Sequence, residues 1–246
     1  MTNPDNVMAT PAAADASVMD DIIEIFYAPS KVFARRRDNP KFWAAFVILS
    51  VLFALGIWLM MRNYTDVMDA QMTRQMNARM AADPRFTPEM AAKGRQIGEK
   101  IAPIAGIILG VLSTLILGVV VWLVGKMFDS KADLRHGMMI ATLASFPKLI
   151  DLLFAAVIAL AVGTGSVTNM LAAGPNLARF APANTSAAIL GLLSRISIGT
   201  IWATILIGIG LHVAGRTTKS KAYTAAAVIW FLATVFAIIS VMRQGA

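Results

Sequence analysis

The sequence predicts an all-α integral membrane protein, a bundle of five transmembrane helices. Hydrophobic residues make up 57% of the chain and charged residues only 15%, whereas about a quarter of the residues of a soluble globular chain are charged. Segments 42–61, 101–125 and 222–242 contain no charged residue over 20, 25 and 21 positions. About 20 apolar residues in a helix cross the hydrocarbon core of a bilayer, so each of these segments predicts a span.

Two further apolar segments complete the predicted bundle, although each contains ionisable residues. Segment 137–163 is apolar except for Lys148 and Asp151 near its middle. Segment 186–213 is apolar except for Arg195 and a histidine near its end. In an alternative interpretation this last span begins one residue after Arg195, which leaves Arg195 at the membrane interface.

The residues outside the spans predict three further parts of the domain organisation. Residues 1–16 are small, polar and rich in Pro and Ala, which predicts a disordered cytoplasmic tail. Residues 17–41 combine apolar positions at helical spacing with a basic cluster, which predicts cytoplasmic helices on the membrane surface. Residues 42–242 form the five-span domain, in which residues 62–100 predict an extracytoplasmic helical loop. The basic cluster comprises Arg35, Arg36 and Arg37, and a plain stop-transfer charge cluster is the alternative interpretation.

Lysine and arginine residues in the short connecting segments predict the orientation, because these residues accumulate in cytoplasmic loops. The segments on one side of the predicted bundle carry eleven of them: Lys31, Arg35, Arg36, Arg37, Lys41, Lys126, Lys131, Arg135, Arg216, Lys219 and Lys221. The short segments on the other side carry Arg179 and Arg243. We therefore expect a cytoplasmic amino terminus and an extracytoplasmic carboxyl terminus.

The composition excludes several classes of function. The net charge of +8 is explained by basic loops facing anionic lipid headgroups, so membrane lipids are the expected partners and nucleic acid is not. The chain has no cysteine, and its two histidines, His136 and His212, lie far apart. We therefore expect no metal site and no cofactor. Zincin, serine-hydrolase and phosphate-loop signatures are missing, so we expect no catalytic residue.

The ionisable residues within the spans are the main candidate site. A charged side chain in a bilayer is costly and is normally paired or faces water. The helical rise of about 1.5 Å per residue places Asp151 and Arg195 at similar depths. Lys148, Asp151 and Arg195 therefore predict one intramembrane charged cluster, with an ion pair between Asp151 and Arg195. An interhelical clamp and a path for ions, headgroups or substrate are both compatible with it. Pro147 predicts a helix kink beside the cluster.

Two patterns predict helix packing. Gly106 and Gly110 form a small-residue pair that lets another helix approach closely, within the chain or in a dimer. In the loop, four methionines at a spacing of four residues form one helical stripe, namely Met68, Met72, Met76 and Met80. This stripe predicts a packing surface, and Cu(I) binding is the alternative that thioether ligands leave open.

The segment before the first span resembles the Yip family, whose members are five-span membrane proteins named for binding Ypt/Rab GTPases. The resemblance is carried by IFYAPSKVF at residues 25–33 and RRRDNPK at residues 35–41. ASFPKLI at residues 144–150 is similar to the small–aromatic–proline motif of the family's third span. The resemblance covers about residues 20–242. Eukaryotic members carry Asp-Leu-Tyr-Gly-Pro where this chain has IFYAP, so the chain resembles a bacterial-type member.

The resemblance implies a non-enzymatic protein of the bacterial inner membrane, a membrane-organising or trafficking-type scaffold. Its partners would be lipids and other membrane proteins, or a second copy of the chain. The alternative, which is based on Lys148, Asp151 and Arg195, is a small permease or channel-like subunit. The two functions differ in whether these charges line a cavity that water can enter.

Reporter fusions at the two ends of the chain test the predicted topology. A cytoplasmic reporter at the amino terminus and an extracytoplasmic reporter at the carboxyl terminus should both be active, because the eleven-to-two charge bias sets the orientation. Activity of the same reporter type at both ends would contradict an odd number of spans.

Overall fold

The computed structural model describes residues 16–165, 167, 169–182 and 184–243. These residues form α-helices, two 3₁₀ turns and connecting segments, and no β-strand occurs among them. The predicted disordered tail lies outside the described residues except for Ala16. The helices are α1 (Val18–Glu24), α2 (Pro29–Arg35), α3 (Trp43–Asn63), α4 (Thr65–Ala82), α5 (Pro88–Met127), α6 (Leu134–Ser145), α7 (Lys148–Val162), α8 (Ala187–Ser194), α9 (Ile198–Val213) and α10 (Lys219–Arg243).

The predicted all-helical membrane fold is confirmed, but only four helices of the described part are long and apolar enough to cross a membrane. They are α3, α5, α10 and the combined unit of α6 and α7, Leu134–Ala161. The predicted span 186–213 is divided into α8 and α9 by a turn at Arg195. α9 has 16 residues and is about 24 Å long, which is shorter than a hydrocarbon core of about 30 Å.

The second spanning helix begins well before the predicted span. α5 has 40 residues and is therefore about 60 Å long. Thr87 caps its first turn by accepting a hydrogen bond from the Met90 amide at 3.3 Å, and Pro88 suits the first helical position. Residues 62–100 thus comprise α4 and the beginning of α5, which are joined by an ion pair between Asp69 and Arg95 at 3.4 Å.

α5 and α6 approach each other closely at two glycines. A Cβ atom on Gly118 would lie 3.0 Å from the Met138 Cα, and one on Gly137 would lie 2.5 Å from the Gly118 carbonyl oxygen. Real Cβ atoms essentially never come closer than 3.0 Å, and a contact at 3.0 Å is already tighter than most Cβ contacts. The contact between these two helices therefore requires a residue without a side chain at position 137 and leaves little room for one at position 118.

The basic connecting segments meet at one end of the bundle. The Arg216 guanidinium binds the Asp38 carboxylate at 2.6 Å, and the Lys131 amide donates to the Gly215 carbonyl at 2.8 Å. At the opposite end, Arg243 borders a crevice of about 600 Å³ formed with α4 and the beginning of α5. The segment before α3 and the end of α10 therefore lie at opposite ends of the protein.

Replacing Gly137 by Ala should destabilise the protein by about 2 kcal/mol, because the new methyl group overlaps the α5 backbone. The melting temperature of the purified protein in detergent measures this effect. Gly106→Ala is the matched control, since its Cβ would lie 3.7 Å from the Ile57 Cγ2, an ordinary contact. Equal melting temperatures for the two variants would contradict the close α5–α6 approach.

Candidate functional site

The turn between α8 and α9 is held by a carboxylate from α7. Asp151 Oδ2 accepts a hydrogen bond from the Ser197 hydroxyl at 2.7 Å, and Asp151 Oδ1 accepts one from the Gly199 amide at 3.0 Å. Ser197 is also the N-cap of α9, where its hydroxyl accepts from the Thr200 amide at 3.0 Å. The first amides of a helix lack partners within that helix. Asp151 therefore completes the cap of α9 from a neighbouring helix.

Gly199 allows α7 to come this close to α9. A Cβ atom at this position would lie 2.7 Å from Asp151 Oδ2 and 2.8 Å from the Pro147 carbonyl oxygen. Both distances are shorter than real Cβ contacts. Any other residue at position 199 would push the carboxylate away from the helix terminus.

Pro147 lies in the interruption between α6 and α7. It has no amide hydrogen and cannot continue the helical hydrogen bonds. The amides of Leu149 and Ile150 instead donate to the carbonyls of Phe146 and Pro147, each at 3.0 Å. These tighter bonds start α7 at Lys148, so the charged residues of this span lie in the first turn of a new helix.

The three residues of the predicted charged cluster share one region, but the predicted ion pair does not form. Lys148 lies within electrostatic range of both Asp151 and Arg195. No ion pair joins Asp151 to Arg195 in the described residues, because the carboxylate is occupied by the first turn of α9. The Arg195 Nε atom is buried without a hydrogen-bond partner. A functional charged cluster stays a prediction, and sequence reasoning missed the hydrogen-bond partners of Asp151.

The connection between α7 and α8 also reaches this junction. The Leu177 amide donates to the Ile196 carbonyl at 3.2 Å, and Asn176 pairs with Ser197 in an isolated antiparallel bridge. The Asn176 side chain donates to the Leu171 carbonyl at 2.9 Å. A serine followed by an apolar helical pattern is a start signal for a helix. Ser197 could therefore have been recognised as the start of α9, but Asn176 carried no comparable signal.

The predicted membrane-surface cluster is mostly engaged within the chain. Asp21 is 4% exposed and accepts from Arg35 Nη2 at 2.5 Å and from Arg36 Nε at 2.6 Å. Glu24 binds Lys31 and Arg35, each at 2.9 Å. These two cations hold the pKa of the Glu24 carboxyl below its ordinary value. α1 and α2 are therefore locked together as an ion-paired hairpin.

The third arginine of the cluster has a different environment. Arg37 is half-buried, its side chain is 3.8 Å from the Asp38 carboxylate, and its carbonyl accepts a hydrogen bond from His136 Nε2 at 2.7 Å. Arg35 and Arg36 therefore neutralise acids of the neighbouring helix α1, namely Asp21 and Glu24. Lipid binding by the cluster stays a prediction.

The two predicted packing motifs make contacts within the chain. A Cβ on Gly106 or Gly110 would lie 3.7 Å or 3.1 Å from the Ile57 side chain, so this pair faces α3. In the methionine stripe, the Met72 and Met76 methyl groups approach the glycines of α5 at positions 98 and 94. No group of three or more His, Cys, Asp or Glu residues that could hold a metal ion occurs among the described residues.

Removing the Asp151 carboxylate should destabilise the α7–α9 junction. Asp151→Ala leaves a hydroxyl and an amide without their acceptor, which costs about 2–4 kcal/mol in buried surroundings. Ser197→Ala removes one cap and should cost about 1 kcal/mol. Melting temperatures in detergent measure both effects. Thr204→Val is the control, because this hydroxyl binds only the Thr200 carbonyl of its own helix at 2.9 Å. A neutral Asp151→Ala would refute the cap.

Comparison with known proteins identifies the family. The Yip1 domain model matches residues 23–242, which is most of the chain. The protein is 22% identical over 227 residues to "Membrane protein YknW" of Bacillus subtilis (strain 168), and the match covers 92% of this chain and 91% of that protein. No solved structure matches the chain. The resemblance found in residues 25–41 and 144–150 is thereby confirmed, and the chain belongs to the Yip1 domain family of membrane proteins.

Proposed function

We propose that this protein is a non-enzymatic scaffold of the bacterial inner membrane, which organises lipids and other membrane proteins. Membership of the Yip1 domain family supports a membrane role. The observation that carries the scaffold proposal is the use of Asp151. Its carboxylate stabilises the first turn of α9, so the acid in the charged cluster has a structural task. A transport path would instead require this group to exchange partners with a passing substrate.

The proposal includes five membrane crossings, with α9 as the fourth. Asp38 contacts Arg216 at one end of the bundle, whereas Arg243 borders the crevice beside α4 at the other. This arrangement supports an odd number of crossings. The basic segments at the first end support a cytoplasmic amino terminus. α9 crosses as a shortened helix because α8 and the connection before it reach inward to meet its first turn.

The proposed scaffold surface is the pair formed by α4 and the beginning of α5. α5 is about 60 Å long, twice a hydrocarbon core of about 30 Å, so its first part extends beyond the bilayer together with α4. Within the described part, α4 packs only sparsely against α3 and α5. This pair therefore offers helical surface to a membrane protein or to a second copy of the chain.

Site-specific photo-crosslinking in cells tests the scaffold surface. A crosslinker at the exposed positions Thr73 and Asn77 of α4 should give discrete adducts in the intact membrane. The matched control places the crosslinker at Phe236, an exposed position of the membrane helix α10, and should give lipid adducts only. Identical adducts at both positions would contradict a partner surface on α4.

Reconstitution distinguishes the scaffold from the alternative permease. Liposomes containing the purified protein should release ions and small fluorescent anions no faster than liposomes without protein. Flux that is lost in Asp151→Asn but retained in Thr204→Val would contradict the scaffold and favour a path through the charged cluster.

A further inference from the structure

The junction of α7, α8 and α9 brings two cations together. Lys148 lies one turn before Asp151 on α7, and Arg195 lies two residues before Ser197. The hydrogen bond from Ser197 to Asp151 therefore places Lys148 and Arg195 at the same junction. Lys148 is within electrostatic range of Arg195, so the two positive charges repel each other across the junction.

Neither cation has a bonding partner in the described part of the chain. Arg195 Nε is buried and makes no hydrogen bond. Lys148 interacts with Asp151 and Arg195 only at longer range, without an ion pair. Asp151 already accepts two hydrogen bonds and carries a single negative charge against two positive ones. The junction therefore has an excess of positive charge and of donors in surroundings where unpaired cations are costly.

A phosphate group has the chemistry that this junction lacks. It supplies negative charge and several strong acceptors, and arginine and lysine are the side chains that bind phosphate in proteins. The proposed topology places the connection 169–182 on the extracytoplasmic side, and this connection bonds to the junction through the Leu177 amide and the Ile196 carbonyl. A headgroup from the same leaflet can therefore approach it.

An apolar crevice is formed in part by chain neighbours of the junction residues, although Lys148 and Arg195 do not line it. It has a volume of about 380 Å³ and is lined by Phe26, Pro147, Ile150, Ile198, Ile201 and Trp202. Pro147 directly precedes Lys148 in the chain, and Ile198 directly follows Ser197. A ligand with a phosphate at one end and an acyl chain at the other supplies a polar group for the cations and an apolar group for the crevice. A free phosphate ion would bind the two cations and leave the apolar crevice empty.

We propose that the junction of α7, α8 and α9 binds the phosphate of an anionic phospholipid through Lys148 and Arg195, with an acyl chain in the adjacent crevice. The lipid phosphate neutralises the excess charge and accepts hydrogen bonds from the Arg195 guanidinium. Asp151 stays on the first turn of α9 and sets the position of both cations. The site is a binding site for a membrane component and requires no transport.

Nanodiscs of defined composition test this site with the full chain. Adding phosphatidylglycerol to phosphatidylcholine should raise the melting temperature of the wild-type protein by about 5 °C. The double variant Lys148→Met with Arg195→Gln should lose this rise. The control Lys93→Met with Lys100→Gln removes the same charge at exposed positions and should keep it. An equal rise in the double variant and the control would refute the site.

Two further sets of measurements identify the ligand, and the single variants remain informative when the double variant folds poorly. In phosphatidylcholine alone, Lys148→Met should melt no lower than wild type, because it removes an unpaired cation. When phosphatidylglycerol is added, Arg195→Lys should keep part of the rise in melting temperature. A Lys148→Met protein that melts lower there would contradict the unpaired state. Native mass spectrometry should find phosphatidylglycerol retained by the wild type and lost from the double variant. An equal rise with inorganic phosphate in phosphatidylcholine nanodiscs would overturn the lipid assignment.

Discussion

The contact between the Asp151 carboxylate and the first turn of α9 links the two halves of the membrane domain. The amides at a helix start need acceptors, because they have none within their own helix. Asp151 supplies two acceptor bonds from α7, and its negative charge is favourable at the positive end of a helix. α9 packs in turn against α2, α6, α7 and α10. The position of a short helix that contacts much of the bundle thus depends on one side chain.

Several local features make this contact possible. Pro147 ends α6 and starts α7 one turn before Asp151, and Gly199 removes the side chain that would separate the two helices. Lys148 and Arg195 consequently lack the neighbouring Asp151 carboxylate as a direct partner. A structural use of Asp151 and an anion site at the cations are therefore two consequences of one geometry.

At two other places in the protein, charged residues form direct ion pairs. In the α1–α2 hairpin, Asp21 is matched with Arg35 and Arg36, so a buried acid has two cations and all three groups are bonded. At the end of the bundle where the basic segments meet, exposed pairs such as Asp38 with Arg216 tie segments together. The α7–α9 junction differs, because among the described residues the buried Arg195 Nε has neither a hydrogen bond nor an ion pair.

The sequence by itself determined the helical membrane class and the four long apolar helices, because apolar length is a local property. It also carried the family, through residues 25–41 and 144–150. Only the tertiary structure decided that Asp151 binds Ser197 and Gly199 rather than Arg195, and that Arg35 and Arg36 bind Asp21. Hydrogen-bond partners are chosen by the distance between helices, and that distance depends on contacts such as Gly199 against Pro147, which no periodicity along one helix reveals.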